Sequence, residues 1–385
     1  MKILMISTDR SVFDADSAVR SRLLEQASLV SELHVIIFTP KSDQYTKLHL
    51  SKHLTIYPTA SANKFAYLTD AYARGKKILA REKDKKHWLI TTQDPFETGA
   101  VGYLLSRVHK IPFHIQLHTD PFNEEWKRER PLNRVRFILA LFLLHQADAV
   151  RVVSKRVFDH VCASGVSVSR ITKVPIYADV EHFTKTKPSF DLHHSYGEYS
   201  HIVLSMGRLE PEKNFSQLIR AFRRVHQTFP DTLLLIVGSG RERERLLSII
   251  RSFALERYVK ILPWARDVVS YYKTCDVYVQ PSRYEGWGLS VVEALASGAP
   301  VVMTDVGCAG EVVRHEETGL VITSFEEGMI ADTIDRVLGD AALRKALGAA
   351  GKKEVKKLAT KAETLMLYKT SWEQALRHGH KRWNI

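Results

Sequence analysis

The strongest constraint on this chain is a repeated alternation of short apolar runs with longer segments of helical periodicity. Runs rich in Val, Ile and Leu that alternate with amphipathic segments are typical of parallel strands covered by helices on both faces of a sheet. The alternation runs through the first half of the chain and then starts afresh in the second. The predicted strands are 3–6, 35–38, 54–57, 88–92, 113–117, 150–153 and 171–174, then 202–205, 233–237, 259–262, 277–280 and 301–304.

The two sets of strands predict two doubly wound, Rossmann-like α/β domains. Thr184–Ser200 is polar and lacks apolar periodicity, which indicates a linker. We therefore place the first domain at 1–190 and the second at 196–364. A terminal helix at about 365–385 has no strand after it, and we expect it to pack back on the first domain. Because ligands of open parallel sheets bind beyond the carboxyl ends of the strands, two such domains predict a cleft between them.

The net charge of +13 suggests an acidic partner. The first 190 residues carry 29 basic and 19 acidic side chains, a net charge of +10, and the remainder carries only +3. Such an excess attracts polyanions, whether nucleic acid, anionic lipid or a phosphorylated substrate. The sequence shows neither a zinc module nor a ribbon of interleaved basic and aromatic residues, so nucleic-acid binding is the less favoured class of function.

Cysteine usage and apolar runs indicate the compartment. Cys162, Cys275 and Cys308 are too widely spaced for a disulfide framework or a zinc site. The apolar stretch at the start is too short for a signal peptide. The longest apolar run, Phe137–Leu144, is far below the roughly 20 residues that span a bilayer. We expect a cytoplasmic protein without a membrane span.

The densest chemical signal is the segment 281–302, PSRYEGWGLSVVEALASGAPVV. A predicted strand ends just before it, and a loop with Gly286 and Gly288 leads into a helix whose first backbone N–H groups form an anion site. Glu285 lies on the loop and Glu293 about one turn into the helix, where both can accept hydrogen bonds from sugar or ribose hydroxyls. The alternative is that Glu285 caps the helix and Glu293 is a solvated surface residue.

A second strand–loop–helix segment, MGRLEPEKNFSQLIRAF at 206–222, carries two cations. Arg208 and Lys213 can reach a diphosphate as a planar fork and a point charge. The alternative is that they are surface cations paired with neighbouring glutamates. A third loop, VGSG, contains Gly238, which allows close approach of the backbone to a ligand.

Together these segments resemble the retaining family 4 glycosyltransferases of GT-B fold. The resemblance is carried by the E-x7-E motif in EGWGLSVVEALASGAPVV, by TGLVI, GRLEPEKNF and VGSG, and in the first half by QADAVRVVSKRVFDHV. It is specific from about Ala147 onward. The loop after the first strand, TDRSVFDADSAVR, lacks the glycine pair that family members often carry there, so the acceptor is not indicated.

The resemblance implies a role for each matching residue. Arg208 and Lys213 would bind the donor diphosphate, and Glu293 the donor ribose. The nucleobase would lie near Leu262–Trp264, and His118 matches the position of an active-site histidine. The group expected to hold the transferred sugar is Glu285 with backbone groups of Gly286, Trp287 and Gly288. From the sequence alone, a histidine satisfied at a strand end is an equally good interpretation of His118.

The implied activity is transfer of a hexose-type sugar from a nucleotide diphosphate sugar to a glycan or lipid-linked acceptor, with retention of configuration, in envelope or polysaccharide synthesis. Departure of the nucleoside diphosphate builds negative charge, which fixed cations and a helix N-terminus stabilise. No metal and no other cofactor is then expected. A sugar-nucleotide-modifying enzyme of the same fold, such as an epimerase, is the alternative.

The basic surplus has two candidate locations. Segment 128–147 places four arginines ahead of an apolar run, and a lysine cluster comprises Lys76, Lys77, Lys83, Lys85 and Lys86. A basic amphipathic segment can lie on an anionic membrane, which would make the protein peripheral on the inner face of the membrane. The favoured interpretation is that a helix apolar all round is buried in the core.

Overall fold

The computed structural model of this protein describes residues 1–82 and 84–384. The chain folds into two compact units. The first unit comprises Met1–Pro175 and Thr360–Ile385, and the second comprises Ile176–Ala359. The described part of the chain contains no helix with both the length and the hydropathy that crossing a bilayer requires.

The first unit is built on an eight-stranded sheet in the order β3-β4-β2-β1-β5-β6-β7-β8. The short edge strand β3 pairs antiparallel with β4, and the other pairings are parallel. The strands are β1 (Lys2–Ser7), β2 (Glu32–Ile37), β3 (Leu48–Ser51), β4 (Leu54–Pro58), β5 (Trp88–Thr92), β6 (Phe113–Leu117), β7 (Ala149–Val152) and β8 (Ile171–Lys173). The helices are α1 (Ala18–Ala27), α2 (Ala66–Leu79), α3 (Glu97–His109), α4 (Glu124–Glu129), α5 (Pro131–Gln146), α6 (Lys155–Ala163) and the terminal α15 (Lys361–Trp383).

Successive residues of β1 enter two different cores because side chains alternate across a strand. Leu4 and Ile6 pack with residues of α2, α3, α5 and α6. Ile3 and Met5 pack on the other face with α1 and α15, where Trp372 is completely buried. The terminal helix is therefore part of the first unit's core.

The second unit is built on a six-stranded parallel sheet in the order β11-β10-β9-β12-β13-β14. Residues of α9, α10 and α13 cover one of its faces in a single apolar cluster. The strands are β9 (His201–Met206), β10 (Thr232–Val237), β11 (Val259–Leu262), β12 (Val277–Gln280), β13 (Val301–Thr304) and β14 (Leu320–Ile322). The helices are α7 (Val180–Lys185), α8 (Leu192–Ser195), α9 (Phe215–Thr228), α10 (Arg243–Ser252), α11 (Val268–Thr274), α12 (Leu289–Ser297), α13 (Glu327–Gly339) and α14 (Ala341–Val355).

The predicted linker Thr184–Ser200 belongs to the second unit, and the division of the chain lies earlier, after Pro175. Besides the buried residues Leu192 and Tyr199, side-chain hydrogen bonds hold its polar residues in place. The Thr184 hydroxyl donates to the carbonyl of Ala296 at 3.2 Å, and Ser270 Oγ accepts from the backbone N–H of Ser189 at 2.7 Å. A segment anchored in this way carries no periodic signal in its sequence.

Three further features differ from the sequence-based expectation. The strands β3 and β14 were not predicted; β3 alternates half-buried with exposed residues, among them a histidine and a serine, and β14 has only three residues. The apolar helix α5 is not buried all round: Asn133, Ala140, Leu143 and Leu144 face the core, while a row of large apolar side chains on another face is exposed.

Candidate active site

The loop between β12 and α12 is shaped by glycines. Gly288 is the N-cap of α12 and has a φ of 95°, a left-handed conformation that side chains rarely adopt. Gly307, with a φ of 57°, backs the loop so closely that an added Cβ would lie 2.4 Å from the carbonyl oxygen of Trp287. The backbone N–H of Cys308 donates to that same oxygen at 2.8 Å. The loop and the start of α12 are thus held in one conformation.

Glu285 is the centre of a polar network on this loop. Its Oε1 accepts from Gln280 Nε2 at 2.6 Å, from Ser282 Oγ at 2.9 Å and from the ammonium of Lys213. Lys213 and Glu285 expose only 15% and 14% of their side chains. The N-cap of α12 is Gly288, and the hydrogen bonds of Glu285 run to Lys213, Gln280 and Ser282, which are not in the first turn of this helix.

Gln280 orients this network. Its Oε1 accepts hydrogen bonds from the hydroxyls of Tyr278 at 2.7 Å and Ser290 at 2.8 Å. These two donors fix the amide so that its Nε2 faces Glu285. Gln280 and Tyr278 were not predicted from the sequence, where the only signal is a glutamine that ends the otherwise apolar strand β12.

Glu293 lies in the second turn of α12 and is half-buried. The hydroxyl of buried Tyr272, on α11, donates to its Oε2 at 3.3 Å. Burial raises the pKa of Glu293 to about 7, because one hydroxyl offsets only part of the cost of desolvating the carboxylate. Glu293 is therefore not a solvated surface residue, and its charge changes near neutral pH.

Arg208 and Lys213 differ in environment. Arg208 exposes 72% of its side chain and pairs with Glu212 at 2.9 Å, four residues along the chain. Lys213 instead reaches Glu285, which is distant in sequence. The surface-pair alternative therefore describes Arg208 in this structure but not Lys213.

Two other predicted positions lie on loops that follow strands. A Cβ added to Gly238 would lie 1.9 Å from the carbonyl oxygen of Gly207, so the loops after β10 and β9 touch at this point. Trp264, on the loop after β11, exposes 60% of its surface. Its indole is therefore accessible to a ligand.

The first unit contains a cavity of about 490 Å³ at the carboxyl ends of its central strands. Its lining is polar at several points. The Glu97–Arg136 pair spans 2.7 Å, and burial raises the pKa of Asp94 to about 6. The lining also includes Ser7, Thr8, Asp9, Arg22, Gln93, His118 and Tyr368.

His118 follows β6 and stands next to a fully buried cation. Its Nε2 lies 3.4 Å from Nη1 of Arg151. Arg151 donates to Gln116 Oε1 at 3.1 Å and twice to the carbonyl of Val174, at 3.1 and 2.7 Å, and its guanidinium lies 4.3 Å from the ring centre of Tyr368. Burial, together with this cation, holds the pKa of His118 well below its usual range. The imidazole is neutral, and because Nε2 accepts from Arg151, the proton resides on Nδ1.

Comparison with known proteins identifies the second unit. Residues 193–354, which include Lys213, Glu285 and Glu293, match the family model described as glycosyl transferases group 1. The chain carries a group 1 glycosyltransferase domain.

Relatives of this glycosyltransferase extend the match beyond that domain. An uncharacterized glycosyltransferase of Bacillus subtilis, YqgM, is 26% identical over 322 residues, which cover 80% of this chain and 86% of the relative. A GDP-mannose-dependent monoacylated α-(1-6)-phosphatidylinositol monomannoside mannosyltransferase of Corynebacterium glutamicum is 31% identical over 207 residues, 51% of each chain.

The fold is that of the GT-B glycosyltransferases. The solved structure of a sucrose-phosphate synthase from Thermosynechococcus elongatus superposes with a TM-score of 0.80 over 97% of this chain and 99% of its own, at 23% identity. The predicted fold class, two doubly wound α/β units of GT-B type, is confirmed.

Proposed function

We propose that this glycosyltransferase is a family 4 enzyme that transfers a hexose-type sugar, with retention of configuration, from a nucleoside diphosphate sugar to a glycan or lipid-linked acceptor. The observation that carries the proposal is the ion pair between Lys213, which lies between β9 and α9, and Glu285 of the glycine-shaped loop before α12. It joins a fixed cation, a carboxylate and a helix N-terminus in one site.

The cationic side of this site suits a departing nucleoside diphosphate. An ammonium donates three hydrogen bonds, so Lys213 can bind a phosphate oxygen while it keeps its bond to Glu285. The first backbone N–H groups of α12 add the positive end of the helix dipole. Charge that develops on the leaving group is thereby stabilised by the protein, and we propose that no metal or other cofactor is needed. Arg208 stays a predicted diphosphate ligand that would leave Glu212 on binding.

The acidic side suits hydroxyl groups. Glu285 is ordered by three donors on Oε1, which leaves Oε2 for the transferred sugar. Glu293 would accept from the ribose in its ionised form, since a carboxylate only accepts hydrogen bonds. Trp264 would offer a stacking surface to the base. The Corynebacterium relative, described as GDP-mannose-dependent and as acting on a phosphatidylinositol mannoside, supports both a nucleotide-sugar donor and a lipid-linked acceptor. We further propose that the transfer serves envelope or polysaccharide synthesis.

We assign the acceptor to the cavity of the first unit. A neutral His118 with a low pKa is a poor base, so its role would be to donate a hydrogen bond from Nδ1 to a hydroxyl. Arg22 in the same lining would favour an anionic acceptor.

A thermal-shift screen of nucleoside diphosphates and their sugars tests the donor site, because a ligand that binds only the folded state raises apparent stability. We expect at least one nucleotide to stabilise the wild type but not Lys213→Ala. Transfer of the matching sugar should fall by about 100-fold in Lys213→Ala, as when one stabilising donor is lost from a transition state. Lys345→Ala, which removes an exposed lysine from α14 of the same unit, is the matched control.

Three further measurements separate the alternatives. Turnover in the presence of a chelator tests metal independence, and the anomeric configuration of the product tests retention. Conversion of the donor sugar without any acceptor would indicate an epimerase instead. Salt-sensitive binding to duplex DNA or RNA, with no stabilisation by any nucleotide and no turnover of any nucleotide sugar, would overturn the proposal.

A further inference from the structure

The exposed face of α5 is apolar. Leu132, Val135, Ile138 and Phe142 each expose between 48% and 68% of their surface. Their spacing of three or four residues places them along one side of the helix. A protein exposes single apolar residues routinely, but a continuous row marks a surface that another partner covers.

The neighbouring helix α3 widens this row. Tyr103 of α3 meets the ring of Phe142 edge-on, with 5.4 Å between ring centres, and Glu97, the first residue of α3, pairs with Arg136 in the second turn of α5. The helices therefore run side by side. The apolar ridge, as we define it, comprises Leu104 and Val108 of α3, which expose 50% and 59%, with Leu132, Val135, Ile138 and Phe142 of α5.

Cations flank both ends of the apolar ridge. At the start of α5, Arg128 and Arg130 expose 67% and 52% of their side chains, and Arg134 is exposed. Glu125 and Glu129 partly offset the first two, at 3.6 and 3.4 Å.

At the far end, α3 finishes in exposed Lys110, and the charges of Lys76 and Lys85 help lower the pKa of His109. Gly75 of α2 packs against Leu105 in the second half of α3, which also places the adjacent, exposed Lys76 near this end. Lys83 of the predicted lysine cluster lies outside the described residues.

The net charge of the protein resides entirely in this unit. Met1–Pro175 with Thr360–Ile385 carries 32 basic and 19 acidic side chains, a net charge of +13. Ile176–Ala359 carries 24 of each and is neutral. Two copies meeting at the apolar ridge would repel each other, whereas an anionic surface would attract it.

We propose that the apolar ridge docks on an anionic lipid bilayer. The apolar side chains would enter the boundary between headgroups and acyl chains while α5 lies in the plane of the surface. The arginines and lysines at the two ends would contact lipid phosphates, an attraction that falls with salt. This surface would hold the enzyme where a lipid-linked acceptor resides, but docking itself requires no sugar transfer.

Co-sedimentation with phosphatidylcholine vesicles, with and without phosphatidylglycerol, tests the proposal. We expect wild-type protein to bind the phosphatidylglycerol vesicles and to dissociate as salt rises. The double variant Val135→Asp with Ile138→Asp should bind at least about tenfold more weakly, because charged groups resist insertion. The matched control is Val168→Asp with Met366→Asp, two residues of the same unit outside the apolar ridge that expose 62% and 61%. It should bind like the wild type.

Several outcomes would overturn the proposal. The first is that the wild type binds vesicles equally well with and without phosphatidylglycerol. The second is that the control variant loses as much vesicle binding as the ridge variant. The third is that, in sedimentation equilibrium, the wild type is a dimer and the ridge variant is a monomer. Nucleotide binding measured on the ridge variant should be unchanged. A failure of the membrane proposal, seen as loss of vesicle binding, can therefore be told apart from a failure of the donor-site proposal, seen as loss of nucleotide binding.

Discussion

Replacing Glu293 with glutamine should raise the free energy of unfolding and, at the same time, weaken donor binding. In the folded state the carboxylate has one hydroxyl donor, from Tyr272, and is half-buried in the second unit. Glutamine keeps an oxygen that can accept this hydrogen bond and carries no charge to desolvate. The same change removes the ionised acceptor that we assign to the donor ribose.

The size and pH dependence of the stability change follow from the pKa. A rise from 4.5 to about 7 means that the folded state binds the proton more tightly than the unfolded state. Below about pH 4.5, Glu293 is protonated in both states and does not reduce the free energy of unfolding. Between about pH 4.5 and about pH 7 the free energy of unfolding falls progressively as the unfolded state ionises. Above about pH 7 the loss is at most about 3 kcal/mol, at ~1.4 kcal/mol per pKa unit. Glu293→Gln removes this cost, so its advantage over the wild type should grow as the pH rises through that window.

Urea unfolding at about pH 5 and about pH 8 measures this difference. Hydrogen exchange of the α12 amides reports locally on the unit that contains Glu293. Exposed Glu256 is the matched control. Glu256→Gln should change neither the free energy of unfolding nor the hydrogen exchange of the α12 amides. The reasoning is refuted if Glu293→Gln is no more stable than the wild type at about pH 8. It is also refuted if the variant exceeds the wild type by the same free energy of unfolding at about pH 5 and at about pH 8. In the wild type, donor affinity should increase as the pH rises through about 7, since the ionised form is the better acceptor.

Three other predictions concern packing and protonation. Lys213→Met should destabilise the second unit by up to about 3 kcal/mol in urea unfolding, because the largely buried carboxylate of Glu285 loses its cation; equal stability would show that the pair is solvated. Nitrogen-15 NMR should show His118 neutral with its proton on Nδ1 between about pH 5 and about pH 8, and a titration near its usual value would contradict the assigned tautomer. Gly238→Ala should cost more than about 1 kcal/mol, because its Cβ would lie 1.9 Å from the Gly207 carbonyl oxygen, and unchanged unfolding would show that the loops can separate.

Strands made of buried apolar residues were predicted from the sequence. Strands of five or six buried apolar residues, such as β1 and β10, show a clear pattern, and their predicted bounds fall within those of the structure. The edge strand β3, whose residues are half-buried or exposed, and the three-residue edge strand β14 were not predicted. The predicted linker Thr184–Ser200 misled because Ser and Thr side chains hold it on the second unit, and such bonds leave no period in the sequence.

The candidate site shows the same limit. The glycine pattern and the spacing of Glu285 and Glu293 were visible in one contiguous segment. The sequence could not show that Lys213 leaves its neighbouring glutamates for Glu285, 72 residues away, while Arg208 stays with Glu212. Nor could it show that Gln280 orients the network.

The sequence by itself determined the local elements of this protein: parallel strands, the helices between them, and glycine loops where strands end. Periodicity and backbone conformation are properties of neighbouring residues, so they are readable along the chain. The tertiary structure alone decided which distant side chains share a desolvated environment. It sets the pKa of Glu293 near 7, exposes the apolar ridge, and buries Trp372 of the predicted terminal helix in the core of the first unit, which holds the entire net charge. These properties depend on burial and on long-range contacts, which only the packed chain defines.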